Sequence, residues 1–164
     1  MNHKVVVAGG GIGGLASALA LARSGVEVDL LEQAAAFGEV GAGLQLGPNA
    51  VRVLEQWGLS GALHACAAFP ESLQVRDAHH AGTLGQLRLG AVSRARYGAP
   101  YATLHRVDLH ALLLDAVQRE ALVRLHLDHR IAEYGESPAG VRVCCEGGAV
   151  FEADALVGAD GLWS

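Results

Sequence analysis

Six residues near the start of the chain, Gly9-Gly10-Gly11-Ile12-Gly13-Gly14, can do chemistry without a side-chain group, because a run of glycines bares backbone amides. Gly9, Gly11 and Gly14 satisfy G-x-G-x-x-G, directly after the apolar Val5–Ala8 and directly before a long apolar stretch. The first glycine makes the tight turn out of a strand. The second lets a pyrophosphate approach the backbone, and the third lets the next helix lie close on the sheet. That helix offers unpaired N–H groups and partial positive charge at its N-terminus, which suit a diphosphate. Glu32 lies 18 residues after Gly14, close to the spacing of an acid that binds a ribose. Its carboxylate can accept hydrogen bonds from both ribose hydroxyls and repels a 2′-phosphate. The expected ligand is therefore an ADP-containing dinucleotide, NAD or FAD in preference to NADP. A glycine-rich turn that only packs helix on sheet is the plainer alternative, and a second strand ending in Glu32 favours the dinucleotide.

The elements that must position these residues follow from the patterning. Val5–Ala8 is apolar without alternation, as in a strand of a parallel sheet covered on both faces. Ile12–Ser24 reads as a helix, with Gly25 at a left-handed C-terminal position, and Val26–Leu31 as the second strand. Phe37–Gly47 is a second glycine-rich segment with little periodicity. Pro48 opens a helix with Ala50, Val53, Leu54 and Trp57 as its apolar stripe, and Gly58 ends it. Ser72–Asp77 and Thr83–Leu89 flank "AHHAG" as a hairpin, and Ser93–Pro100 reads as a loop. Leu109, Leu112, Leu113 and Ala116 mark a further helix with Arg106 at its start. Leu122–Leu127 and Arg130–Tyr134 are expected strands. Val141, Val143 and Cys145 alternate with polar neighbours, Gly147-Gly148 turns the chain, and Val150–Asp154 returns. Ala155–Val157 is expected to be a buried strand leading into a loop at Gly158–Gly161.

Composition narrows the function classes. The 164 residues are 51% hydrophobic and 18% charged, which is globular, with a net charge of −5 and no basic block to bind nucleic acid. Three cysteines, Cys66, Cys144 and Cys145, give no disulfide framework and point to a reducing compartment, the cytoplasm. No signal peptide is expected, and the longest apolar segment, Leu15–Ala22, is too short to span a membrane. No metal site is expected. His79 and His80 are adjacent and point to opposite faces of a strand, His126 and His129 lack H-E-x-x-H, and Cys144-Cys145 lack C-x-x-C.

Four segments together resemble a known family: "VVVAGGGIGGLASALALARSGVEVDLLEQ", "EVGAGLQLGPNAVRVLEQWGL", "LHRVDLHALLLDAV" and "ADALVGADGLWS". They resemble the class A FAD-dependent aromatic hydroxylases, in particular the salicylate hydroxylase and 3-hydroxybenzoate 6-hydroxylase group. The resemblance implies an α/β Rossmann-like FAD/NAD(P)-binding fold, a mostly parallel sheet with helices, with part of a β-rich substrate domain inserted. Residues 1–68 would form the FAD-binding βαβ unit, 69–100 a partial substrate-domain hairpin, and 101–164 the return to the FAD-binding domain. Gly9, Gly11, Ile12, Gly13 and Gly14 would cradle the diphosphate, and Glu32 would hold the adenosine ribose. Gln33 follows it where many relatives carry a basic residue. The loop containing Gly43 would lie near the flavin, Arg106 would contact FAD, and the backbone of Ile131 would contact adenine. Asp160, in the family's Asp-Gly motif, would lie near the diphosphate and bear on FAD and nicotinamide-cofactor binding.

The chemistry the resemblance implies is a monooxygenase reaction. NAD(P)H reduces the flavin, dioxygen forms a flavin hydroperoxide, and one oxygen passes to a small aromatic acid. Members of the family extend well beyond this length, so the chain reads as an N-terminal portion, inactive as a hydroxylase alone. A homodimer is among the assemblies the resemblance allows. Two other classes compete: an NAD-dependent dehydrogenase or reductase using the same glycine fingerprint, and a truncated nucleotide-binding module without turnover. Against the dehydrogenase, strands and helices do not alternate regularly between Glu32 and Arg106.

Overall fold

The structure, a computed structural model, describes residues 3–38 and 41–161. Glu39 and Val40 of the second quoted segment, and Leu162, Trp163 and Ser164 of the fourth, lie outside them. The chain divides into two compact units, one formed by Met1–Glu39 with Leu113–Ser164 and the other by Val40–Leu112.

The first unit opens with β1 (Lys4–Ala8), α1 (Ile12–Arg23) and β2 (Glu27–Leu31). β1 and β2 pair in parallel, and α1 crosses between them, buried along Gly14, Leu15, Ala18, Leu19 and Ala22. Gly25 follows α1 at φ +82°, the left-handed position expected of it.

The second unit contains β3 (Gly43–Leu46), α2 (Pro48–Gln56), α3 (Ser60–Cys66), the hairpin β4 (Ser72–Arg76) and β5 (Thr83–Arg88), α4 (Gly90–Tyr97) and β6 (Ala102–His105). The hairpin agrees with its sequence signal, and the Asp77 side chain caps its tip by accepting from the amides of His79 at 2.8 Å and His80 at 3.2 Å. Three expectations need correction. Ser93–Pro100 is no loop: α4 covers most of it and ends at Gly98 with φ +79°, and the polar Ser93, Arg94 and Arg96 had hidden the helix. The glycine-rich segment contains a strand, since β3 pairs antiparallel with β6. In α2 the buried residues are Val51 and Leu54, whereas Val53 is 38% exposed, so the apolar stripe is turned from the one read by spacing.

Helix α5 (Arg106–Gln118) leads back into the first unit, and Leu109, Leu112, Leu113 and Ala116 are all buried as its spacing predicts. Then come β7 (Val123–His126), β8 (Ile131–Ser137), β9 (Gly140–Cys145), β10 (Val150–Ala153) and β11 (Ala155–Gly158). The parallel sheet has the order β11-β1-β2-β7, and β8, β9 and β10 form an antiparallel three-stranded sheet. β11 is an edge strand in the described sheet and half-exposed, not the buried strand its composition suggests. A core joins the two sheets: Val6, Leu31, Val141, Val143 and Cys145 are buried, with Ile131, Phe151 and Leu156 packed against them. β1 shows no alternation because it is covered twice, by α1 on one face and by the three-stranded sheet on the other.

One charged group sits on the inner face of this sheet. Asp29 is 3% exposed, with Lys4 Nζ at 2.7 Å from one carboxylate oxygen and His126 Nε2 at 2.7 Å from the other. Burial alone raises its pKa, but the hydrogen bonds and charges of Lys4 and His126 outweigh that and hold the carboxyl below the ordinary 3.8. A depressed carboxylate pKa contributes stability above the unfolded value and loses it as pH falls through the folded one. Urea melts across the acid range are therefore expected to show a steep loss of stability below the ordinary carboxylate pKa, flattened in Asp29→Asn. An unchanged acid limb in that variant contradicts the assignment.

Candidate functional site

Gly9 leaves β1 at φ +105°, a conformation that only glycine adopts freely, and its amide donates to the Leu31 carbonyl at 2.7 Å. A Cβ on Gly9 would stand 2.5 Å from the Ala159 carbonyl oxygen, and one on Gly14 would overlap the Gly9 carbonyl oxygen. Packing thus dictates both of these glycines. It does not dictate Gly11 or Gly13, whose added Cβ would meet nothing within 4 Å. Gly11 is the N-cap of α1; no side chain caps this helix, and its first turn holds no acid. The open, uncapped amide end of α1 has the shape and partial charge that a diphosphate takes up.

Beside it, Glu32 follows β2 with both carboxylate oxygens held. One accepts from the Gly10 amide at 2.7 Å and the other from the Ala34 amide at 2.8 Å. Each oxygen has a second lone pair, so the carboxylate can still accept two hydroxyls. The residues present fit the ADP half of a dinucleotide: an open amide cradle for the phosphates and a fixed acceptor beside it.

Asp160 is exposed, and its Cα lies 3.1 Å from where a Gly9 Cβ would stand, so the turn after β11 flanks the glycine turn. Gln33 is exposed next to Glu32. Ile131 opens β8, pairs with Cys145 and is half-buried against the core, five residues after the His126 carbonyl that accepts from the Glu32 amide at 2.9 Å. Gly9, Gly11, Ile12, Gly13, Gly14, Glu32, Gln33, Ile131 and Asp160 all belong to the first unit. Gly43 and Arg106 belong to the second, where Gly43 pairs with His105 and the Arg106 amide donates to Ala42 at 2.9 Å.

Sequence reasoning missed three residues, Gly10 and Phe37 at the turn and Asp29 within β2. Gly10 is an unconstrained position of the motif, yet a Cβ there would press on the Phe37 ring and the Glu32 carboxylate, at 2.7 and 3.0 Å. Phe37 carried no signal. Asp29 did carry one, as a charge inside the otherwise apolar Val28–Leu31. Among the described residues, no group of three or more His, Cys, Asp or Glu could hold a metal ion, and no helix is long and apolar enough to cross a membrane.

Residues 2–164 match the family described as FAD binding domain. Among curated relatives, the chain is 41% identical over 160 residues to 3-hydroxybenzoate 6-hydroxylase of Polaromonas naphthalenivorans, covering 98% of this chain and 40% of that protein. It is 36% identical over 159 residues to 6-hydroxynicotinate 3-monooxygenase of Bordetella bronchiseptica, covering 97% and 41%. Klebsiella pneumoniae HpxO, solved with FAD and uric acid, superposes with a TM-score of 0.83 at 28% identity, over 97% of this chain and 39% of that one. The chain thus spans about 40% of the length of the curated relatives it matches.

Proposed function

Because this chain belongs to the FAD-binding domain family, as a Rossmann-like α/β member related to the class A flavin hydroxylases, we propose that it holds FAD for an aromatic-acid monooxygenase. The observation that carries this reading is the uncapped amide end of α1, open at Gly11 and Gly13, with the Glu32 carboxylate fixed beside it. Gly9 and Gly14 shape the turn, while Gly11, Ile12 and Gly13 present it to the diphosphate. Glu32 accepts from the adenosine ribose, with Gln33 next to it and the Ile131 backbone at adenine. Asp160 borders the diphosphate. Gly43 and Arg106 serve the flavin end. In organisation, residues 1–68 are the nucleotide-binding βαβ portion, 69–100 the start of a substrate domain, and 101–164 the return.

Bound FAD supplies the redox and oxygen chemistry, with NAD(P)H as the electron donor and dioxygen as the second substrate. The chain's own residues bind and orient the cofactor. Two relatives named for action on 3-hydroxybenzoate and 6-hydroxynicotinate support a small hydroxylated aromatic acid as the ring substrate. Three free cysteines support the cytoplasm.

Titration of FAD with the purified chain tests the reading. Quenching of flavin fluorescence is expected, with ADP competing. Binding of NADH without any response to FAD would instead favour a dehydrogenase and overturn the proposal.

A further inference from the structure

We propose that Asp29, acting through His126, is a positioning residue for Glu32 and hence for the adenosine end of the dinucleotide; this rests on the role given to Glu32 above. Neither residue reaches the amide cradle. Their effect runs through the turn that follows β7. The Glu32 amide donates to the His126 carbonyl at 2.9 Å, and the Glu32 carbonyl accepts from the His129 amide at 2.9 Å. Two residues beyond Glu32, the Ala34 carbonyl accepts from the Asp128 amide at 3.1 Å. The backbone that carries the Glu32 carboxylate is thus clamped at three points by His126–His129.

That turn is itself a constrained structure. Asp128 sits at φ +59°, which a non-glycine residue occupies only at a cost, and His129 Nδ1 lies 2.6 Å from the Leu127 carbonyl oxygen. The His126 and His129 rings both meet the edge or face of Phe151, with centroids 4.9 and 5.7 Å away. Beneath them, Asp29 fixes the His126 ring through the 2.7 Å contact to Nε2, and Lys4 holds the other Asp29 oxygen. A charge inside an apolar parallel strand is a poor way to gain stability, since well-packed apolar residues do as well or better. What the charge gives here is direction: one ring orientation, one turn geometry and one position for Glu32, in the way outer partners orient the groups that touch a ligand.

The test uses the 164-residue chain, FAD as probe, and variants that spare the Asp29–Lys4 pair. His126→Phe keeps a ring against Phe151 and removes the donor to Asp29. His126→Gln places an amide N–H at similar reach and should restore it. His126→Phe is expected to weaken FAD binding roughly 5–30-fold, with His126→Gln within about threefold of the parent. In a Glu32→Ala background the His126→Phe change should shrink to less than about twofold, because its effect passes through Glu32. Without ligand, exchange of the Glu32 and His129 amides should accelerate in His126→Phe and recover in His126→Gln. If His126→Phe does not fold, His126→Asn, too short to reach Asp29, carries the same expectations. Equal losses in both backgrounds, or parent-like binding and exchange in His126→Phe, overturn the inference. Failure of the parent chain to bind FAD overturns the functional reading instead, and the ligand-free exchange then decides the positioning role alone.

Discussion

Gly14→Ala is expected to destabilise the chain severely, whereas Gly11→Ala is expected to leave it stable and impair FAD binding. The two glycines belong to one motif but answer to different constraints. A Cβ on Gly14 overlaps the Gly9 carbonyl oxygen, and neither atom can yield, because the Gly9 amide is tied to Leu31 and α1 packs on the sheet immediately afterwards. The clash falls between two stretches of backbone, not on a pliable side chain. Overpacking of this kind costs about 3 kcal/mol or more, a large share of the about 5–15 kcal/mol that keeps a domain folded. Gly11 has φ −70°, which alanine adopts without strain, and its added methyl enters open space. Its expected stability change is within about 1 kcal/mol, the size of an N-cap substitution. The same methyl would occupy the room through which a phosphate approaches the α1 amides, and affinity should fall roughly 5–150-fold for a steric penalty of about 1–3 kcal/mol. Urea melts and flavin titrations of the two single variants check both halves. A Gly14→Ala chain as stable as the parent would refute the packing account, and a Gly11→Ala chain with undiminished affinity would refute the cradle.

This division also explains what the sequence could and could not disclose. The glycine spacing reports packing and ligand approach at once, and both are local, so the strand, turn and helix could be read from Val5–Gly25. α5 was equally legible, because Leu109, Leu112, Leu113 and Ala116 share one face, and all four are buried. α4 was not, since its polar residues leave no apolar stripe and its stop signal, Gly98, also suits a loop. β11 misled for another reason. Its apolar residues imply cover, but composition does not say which strand lies at the edge of the described sheet. The cradle and Glu32 could be found from spacing because the chain between them is short. Asp29, Lys4 and His126 could not be joined that way: Asp29 and His126 are 97 residues apart, and the ion cluster exists only because β7 pairs with β2.

Glu32 carries the second large effect, and its two backbone anchors make the prediction specific. A carboxylate is acceptor-only, so it can take the Gly10 and Ala34 amides together and still face two ribose hydroxyls. Glutamine cannot reproduce this arrangement. Whichever way its amide is turned, an NH₂ group confronts one of the two backbone N–H groups, and that anchor is lost along with the charge. Hydrogen bonds to a charged group contribute about 1.5–3 kcal/mol each, so Glu32→Ala, which removes both ribose contacts, should weaken ADP and FAD roughly 100-fold or more. Glu32→Gln should weaken them about tenfold, the equivalent of one such contact. The charge has a separate signature, because it repels a phosphate on the ribose 2′-oxygen. The parent chain should bind ADP much more tightly than 2′-phospho-ADP, and the preference should narrow in both variants even though overall affinity falls. Calorimetric titration of the two nucleotides against the three proteins separates the effects. Parent-like ADP affinity in Glu32→Gln would show that the carboxylate serves only to hold the Gly10 turn, and the ribose would have to be bound elsewhere.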